Sequence, residues 1–323
     1  MTTHSGTITA AALRGARPRH ELVAFLIMCA LLVIAPFVAY PFFLMQALCF
    51  ALFACAFNLL IGYVGLLSFG HAMFLGTAAY FSAHIAKIWG WPPELAILTA
   101  ALGAAGIGLC VGLLAIRRQG IYFAMITLAF SQMIYFFCLE VPFTHGEDGI
   151  QAVPQGKLLG IFDLSNQMVL YFCVFAIFLL GFGLIHRIVN SPFGEILKAI
   201  RENEPRAISL GYKVDQYKLA AFVLSAGLAG LAGATKAIVA QNASLTDVHW
   251  SMSGEVVLMT LVGGLGTIFG PVVGAFIIVA MQNYLAQFGQ WVTVIQGVIF
   301  VTCVLAFRRG IVGEIGNLMR KSF

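Results

Sequence analysis

Hydrophobic residues in this chain come in long runs broken by short polar or glycine-rich intervals, without the alternation of half-buried strands. The runs are Leu22–Tyr40, Phe42–Gly62, a third ending near Lys87, Glu94–Ile116, Ile121–Leu139, Gln167–Val189, Lys218–Ala240, a long run Gly254–Gln287, and Trp291–Phe307. The long run holds Gly263–Gly274, glycine-rich and with a proline, so it is read as two spans joined by a turn. A run of about 20 apolar residues crosses roughly 30 Å of hydrocarbon as a helix. Backbone groups in lipid must be satisfied within the segment, and the alternation of a transmembrane barrel is absent. The pattern predicts an all-α polytopic membrane protein of about ten transmembrane helices, with both termini on one side.

Two breaks are glycine-rich: Gly62–Tyr80, GYVGLLSFGHAMFLGTAAY, and Gly263–Gly274, GGLGTIFGPVVG. The first predicts a turn near Gly65–Gly70 before the third span; both are candidates for broken or re-entrant segments. Their similar place at one end of a hairpin makes a duplicated half a hypothesis. Gly108 and Gly112 have the small-xxx-small spacing of closely packed membrane helices. The longest polar interval, Arg187–Lys218, carries two helix starts, Ser191-Pro192 and Glu204-Pro205. Ile196, Leu197 and Ile200 form one apolar strip, and Gly211 suits a left-handed stop. A capped amphipathic helix between spans reads as a surface for a partner; taken alone, a solvated loop with local helix is the plainer reading.

Charge orients the chain. Of 18 Lys and Arg, all but Lys87, Lys157 and Lys236 fall in the tails or in alternate loops on the side of the N-terminus. Basic residues mark the cytoplasmic face. The expected layout is a basic cytoplasmic tail over 1–20, a membrane domain over 21–307, and a basic cytoplasmic tail over 308–323. Within the membrane domain, the loop 190–217 is cytoplasmic and the acidic loop 140–166 faces outward. The composition agrees: 61% hydrophobic, 10% charged, mean hydropathy +0.95. The seven cysteines lie inside apolar runs without a CxxC pair and read as small hydrophobes, neither a disulfide frame nor a metal site.

No GxxxxGK[ST], HExxH or GxSxG is present, so the chain lacks its own P-loop and the familiar hydrolase motifs. GLGTIFG has the wrong spacing and no preceding strand for a dinucleotide fingerprint, and helix packing explains its glycines. No metal or cofactor is expected, and nothing points to nucleic acid. Polar residues inside the runs are costly unless they meet a cavity or partner, which singles out Asn58, Ser68, His71, Thr127, Ser131, Gln132, Ser225 and Lys236. Interhelical hydrogen bonding is the competing reading for each. Lys236 is placed to snorkel at the outer end of its span, and Glu255 at the interface. The translocation-path candidates are Asn58, Ser68, His71, Thr127 and Gln132.

GYVGLLSFGHAMFLGTAAY, QGIYFAMITLAFSQMIY, FTHGEDGI, EILKAIRENEPRAISLGYKVDQYKLAAFVLSAGLAGLAGA and GGLGTIFGPVVGA, in this order, resemble the permeases of branched-chain amino-acid ABC importers. The resemblance runs from Leu48 to Gly274 and into the tail, and GIYFAMITLAF with THGEDGI is closer to the M-type than the H-type subunit. It implies a non-catalytic, multi-pass subunit of the bacterial inner membrane. The implied partners are an H-type permease, two cytoplasmic ATPase subunits, an extracytoplasmic solute-binding protein and membrane lipid. It also makes 190–217 an ATPase-coupling loop: Glu204, Ala207 and Gly211 resemble a degenerate EAA-x3-G pattern, and Gly194, Arg201, Glu202 and Asn203, with Ile200 on the strip, match the family's loop. His145 departs from the commoner TGG-type outer loop. Urea or short-chain amide permeases share these motifs. A stand-alone carrier and a membrane scaffold are the readings outside the family.

Overall fold

The computed structural model describes residues 19–158, 160, 162–289, 291–306 and 310–318. The basic residues Arg14, Arg17, Arg308, Arg309, Arg320 and Lys321, most of the predicted N-terminal tail and both ends of the C-terminal one lie outside that set. Helices α1 (Arg19–Ile34), α2 (Pro41–Ile61), α3 (His71–Lys87), α4 (Pro93–Ala115), α5 (Ile121–Glu140) and α6 (Gln167–Val189) follow the predicted runs closely. Two short helices, α7 (Pro192–Glu202) and α8 (Glu204–Ser209), fill the long polar interval, and α9 (Val214–Ala240) follows. A four-residue α10 (Leu245–Val248) leads into the hairpin α11 (Trp250–Gly263) and α12 (Gly270–Leu285). The chain continues through α13 (Trp291–Ala306) and α14 (Gly310–Leu318), the latter within the predicted C-terminal tail. Five of these, α2, α4, α5, α6 and α9, are long and apolar enough to cross a membrane. The protein is an all-α polytopic membrane protein in its helical body.

Helix α2 is apolar on every side, so it occupies the centre, buried along almost its whole length between α6, α9, α11 and α12. Helix α9 packs against α2, α3 and α4 through small residues. Added Cβ atoms on Gly108 and Gly230 would collide with Ala226 and Ala104, and one on Gly233 with the Leu75 carbonyl. Glycine here lets backbones approach closely, so the predicted small-xxx-small stripe of α4 does meet a helix. Helices α4 and α5 are largely exposed, and α4 turns Leu98, Leu102, Leu109, Leu113 and Leu114 outward, a surface suited to acyl chains.

The connections gather at two ends. At one lie Gly62, the 264–269 turn, Gln119, α7, α8 and the start of α9. At the other, the 141–166 and 241–249 segments join through a two-residue ladder, β1 (Ile150–Gln151) with β4 (Asn242–Ala243), with Ile150 opposite Ala243. A second ladder pairs β2 (Lys157–Leu158) with β3 (Phe162–Asp163), and Lys87 Nζ donates to Gln151 O at 2.7 Å. The 241–253 interval between two of the predicted runs turns inward. Val248 of α10 packs on Gly76 in the middle of α3, where a Cβ would collide with it. Ala72 N–H donates to Ser253 Oγ at 2.9 Å. The cysteines whose side chains are described are free thiols, as read from the sequence; Cys303 lies outside the described side chains.

Candidate coupling surface and polar helix crossings

Helix α7 starts where its sequence says: Ser191 Oγ accepts from Gly194 N–H at 3.4 Å, with Pro192 in the first turn. Asn203 then caps α8, its Oδ1 accepting from Arg206 N–H at 3.1 Å. The apolar strip of α7 turns into the chain itself. Leu197 and Ile200 are buried, Ile200 packing with Ala207 and Val214 beneath Ile196 and Tyr217. Gly194 is buried at the α6–α7 junction, where a Cβ would collide with the Val189 carbonyl. Of the coupling residues named from sequence, Gly194, Ile200 and Ala207 therefore hold the loop's shape. Glu202, Asn203 and Gly211 are exposed, and Gly211 has φ +89°.

Two charged residues lash this loop to the bundle. Arg201 Nη1 donates to the Gly62 carbonyl, bridging α7 to the end of α2. Glu204 Oε1 accepts from Lys218 Nζ at 2.6 Å and from Gln119 Nε2 at 2.8 Å, tying α8 to α9 and to the α4–α5 turn. What the loop leaves outward is an apolar patch at the end of α8 and just past it: Ile208, Leu210 and Tyr212 are 57%, 69% and 40% exposed. Sequence periodicity missed it, because α8 is too short to show a period.

Asn58 sits where the two glycine-rich stretches meet. Its Nδ2 donates to Thr267 O at 2.9 Å and its Oδ1 accepts from Gly266 N–H at 3.0 Å. Gly266 takes φ +73° to make that turn. Each stretch is thus a turn between helices, and the two pin each other. His71 lies at the crossing of α2, α3 and α9, fully buried, with Phe57, Phe74 and Phe222 edge-on at 5.0, 5.6 and 6.3 Å. Ser225 Oγ donates its one proton to Ala56 O at 2.5 Å, so it accepts from His71 Nε2–H at 2.8 Å. That network places a proton on Nε2 and leaves Nδ1 buried without a partner. Ser68 Oγ accepts from Gly70 N–H at 3.2 Å, and Thr127 Oγ1 from Phe69 N–H at 3.2 Å. Beside them a cavity of about 460 Å³ opens between Gly65–Phe69 and the start of α5. Gln132 alone of the path candidates is partly exposed, on the open face of α5; Ser131 is buried.

Lys236 does not snorkel. Its ammonium pairs with the buried Asp247 carboxylate and stands 5.3 Å from the Phe50 ring centroid. Glu255 is one turn inside α11, and its Oε2 accepts from Gln282 Nε2 at 2.9 Å. Asp247 was missed because it falls in an interval that reads as a loop. Only the inward turn of α10 brings it to Lys236, about 16 Å along α9 from Ser225. Among the described residues, no three His, Cys, Asp or Glu side chains are placed to hold a metal ion.

Comparison with known proteins places this architecture. The family model described as branched-chain amino acid transport system / permease component matches residues 40–304. The high-affinity branched-chain amino acid transport system permease protein LivM of Escherichia coli is 26% identical over 311 residues, covering 87% of this chain and 73% of that protein. The ribose import permease protein RbsC of Bacillus subtilis is 31% identical over 169 residues, half of each chain. A probable branched-chain amino acid transport permease protein LivH of Methanocaldococcus jannaschii is 29% identical over 159 residues, 45% of this chain and 48% of that one. No solved structure matches. With the match spanning the helical body and both glycine-rich turns, the chain belongs to the family of branched-chain amino acid transport system permease components.

Proposed function

We propose that this chain is a non-catalytic permease subunit of an ABC importer for branched-chain or related small amino acids, in a bacterial inner membrane. The family match over residues 40–304 carries the reading. Ten spans, α1–α6, α9, α11, α12 and α13, put both termini and the α7–α8 end in the cytoplasm. The distribution of basic residues and the sorting of the connections to two ends support that layout. The partners are an H-type permease, two ATPase subunits and an extracytoplasmic binding protein, and the chain binds no cofactor of its own.

The loop 190–217 couples in this reading, through the apolar patch Ile208, Leu210 and Tyr212 and the exposed Glu202 and Asn203. An apolar surface in water favours burial against a partner. Arg201 and Glu204 make the loop a lever, since each ties it to helix ends that must move together when access switches. The Gln132 face of α5 borders the path. An amide in mid-membrane is costly toward lipid, so the Gln132 face favours protein or water over acyl chains. His71, Asn58, Ser68 and Thr127 support the path's walls from within.

The test is co-expression with candidate ATPase and permease partners, followed by affinity purification. Wild type brings both partners down; Ile208→Glu with Leu210→Glu loses the ATPase while eluting at unchanged size. Ile200→Glu is the wrong probe, because it puts a charge into the core of the loop. A wild-type chain that elutes alone and transports leucine into liposomes without ATP is a carrier, and the proposal fails.

A further inference from the structure

At the end of the bundle opposite α7–α8, three ionisable side chains meet that neither the coupling patch nor the α5 face uses. Lys236 is bound to Asp247, and both lie close enough to Glu255 to act on its carboxylate electrostatically. The Lys236 ammonium is taken up by Asp247, and the hydrogen bond to the Glu255 carboxylate comes from Gln282 instead, in a part of the bundle where charge without a partner is expensive. The other lysines at this end are engaged elsewhere: Lys87 donates to the Gln151 carbonyl, and Lys157 stands opposite Asp163 in the β2–β3 ladder. Among the described residues, no ion pair reaches Glu255.

Gln282 connects that carboxylate to open space. It binds Glu255, and it lines a cavity of about 310 Å³ with Tyr40, Gln46 and Asn283. An ionised carboxylate only accepts hydrogen bonds, so the amide must turn its NH2 group to Glu255. Its carbonyl oxygen is then the group left for the cavity. The same wall carries the amides of Gln46 and Asn283, and the apolar side chains of Phe42, Phe43 and Val279. The volume is at the small end of the ~300–1,000 Å³ range of small-molecule sites.

We propose that this cavity recognises the ammonium group of a small amino acid, with Gln282 Oε1 as direct acceptor and the Glu255 carboxylate behind it as counter-charge. The amide donors of Gln46 and Asn283 suit the solute's carboxylate, and the Phe42–Phe43 side suits an alkyl group. The site stands near the α1–α2 turn, at the face where a solute would be delivered. This inference rests on the amino-acid importer reading and specifies its solute contact.

The experiment uses the full complex in proteoliposomes with internal ATP at pH 7. Radiolabelled leucine is the probe, with leucinamide and 4-methylpentanoate as competitors that lack the carboxylate and the ammonium respectively. Wild type is inhibited by leucinamide far more than by 4-methylpentanoate. Glu255→Gln and, independently, Gln282→Met raise KM for leucine about tenfold or more, the scale of one charge-assisted contact, and narrow the gap between the two competitors. The maximal rate stays within about twofold, since binding and not coupling is weakened. Unchanged KM and competitor preference in both variants overturns the site. So does a loss of maximal rate in step with a loss of folded protein, which marks a structural role. Failure of the wild-type complex to take up leucine overturns the importer reading itself, and the site with it.

Discussion

Removing one member of the Lys236–Asp247 pair strands the other inside the bundle, and the two removals are not equivalent. The side chains are 13% and 3% exposed, so water does little to solvate a lone survivor. Truncating one partner of a buried pair costs about 3–5 kcal/mol. Asp247→Ala belongs at the low end, about 3 kcal/mol, because Lys236 keeps the Phe50 ring and the nearby Glu255. Lys236→Met is worse, about 4–5 kcal/mol, since it leaves Asp247 and Glu255 together with no cation. The double variant Lys236→Met/Asp247→Leu recovers most of the loss, because apolar replacement of a whole buried pair is often nearly neutral; what remains is the cost of leaving Glu255 with Gln282 and no cation. Thermal unfolding of the purified protein in detergent, read by intrinsic fluorescence, completes the cycle. For a chain of this length, losses of about 3–5 kcal/mol correspond to roughly 4–8 °C. Additive effects, with a coupling below about 0.5 kcal/mol, would refute the pairing and the inward turn of α10 that creates it.

Other positions give sharper local tests. Asn58→Leu deprives Gly266 N–H and Thr267 C=O of their partner and costs about 1–3 kcal/mol for each group left unsatisfied; hydrogen exchange should rise at the 264–269 turn before it rises elsewhere. On α9, Gly230→Ala drives a methyl into Ala104 and destabilises by about 1–3 kcal/mol. Gly227→Ala, whose Cβ would stand 3.4 Å from Ala105, is neutral or stabilising in the same melt.

Much of this protein is written in one dimension. A run of twenty apolar residues has few outcomes in a bilayer, so helices α2, α4, α5, α6 and α9 were legible with nearly correct ends. The start of α7 was legible for the same reason, since Ser191 and Pro192 act on backbone groups within three residues; α8 was expected to start at Glu204-Pro205, and the structure adds Asn203 as its cap. Family membership followed from the order of glycine-rich and polar blocks. Which way a side chain faces was not legible. Apolar residues are in place both against lipid and against protein, so periodicity could not tell that α2 lies at the centre while α4 lies at the rim. Ile200 looked like a partner's foothold and proved to be the loop's own core, because an amphipathic helix buries its strip against whatever is nearest. Asp247 and Lys236 are eleven residues apart with a turn between them, and no local rule pairs them. The return of α10 onto α3 makes that pair, and leaves Glu255 to Gln282. Long-range packing of small residues sets where the chain doubles back, and the polar chemistry of the bundle follows from it.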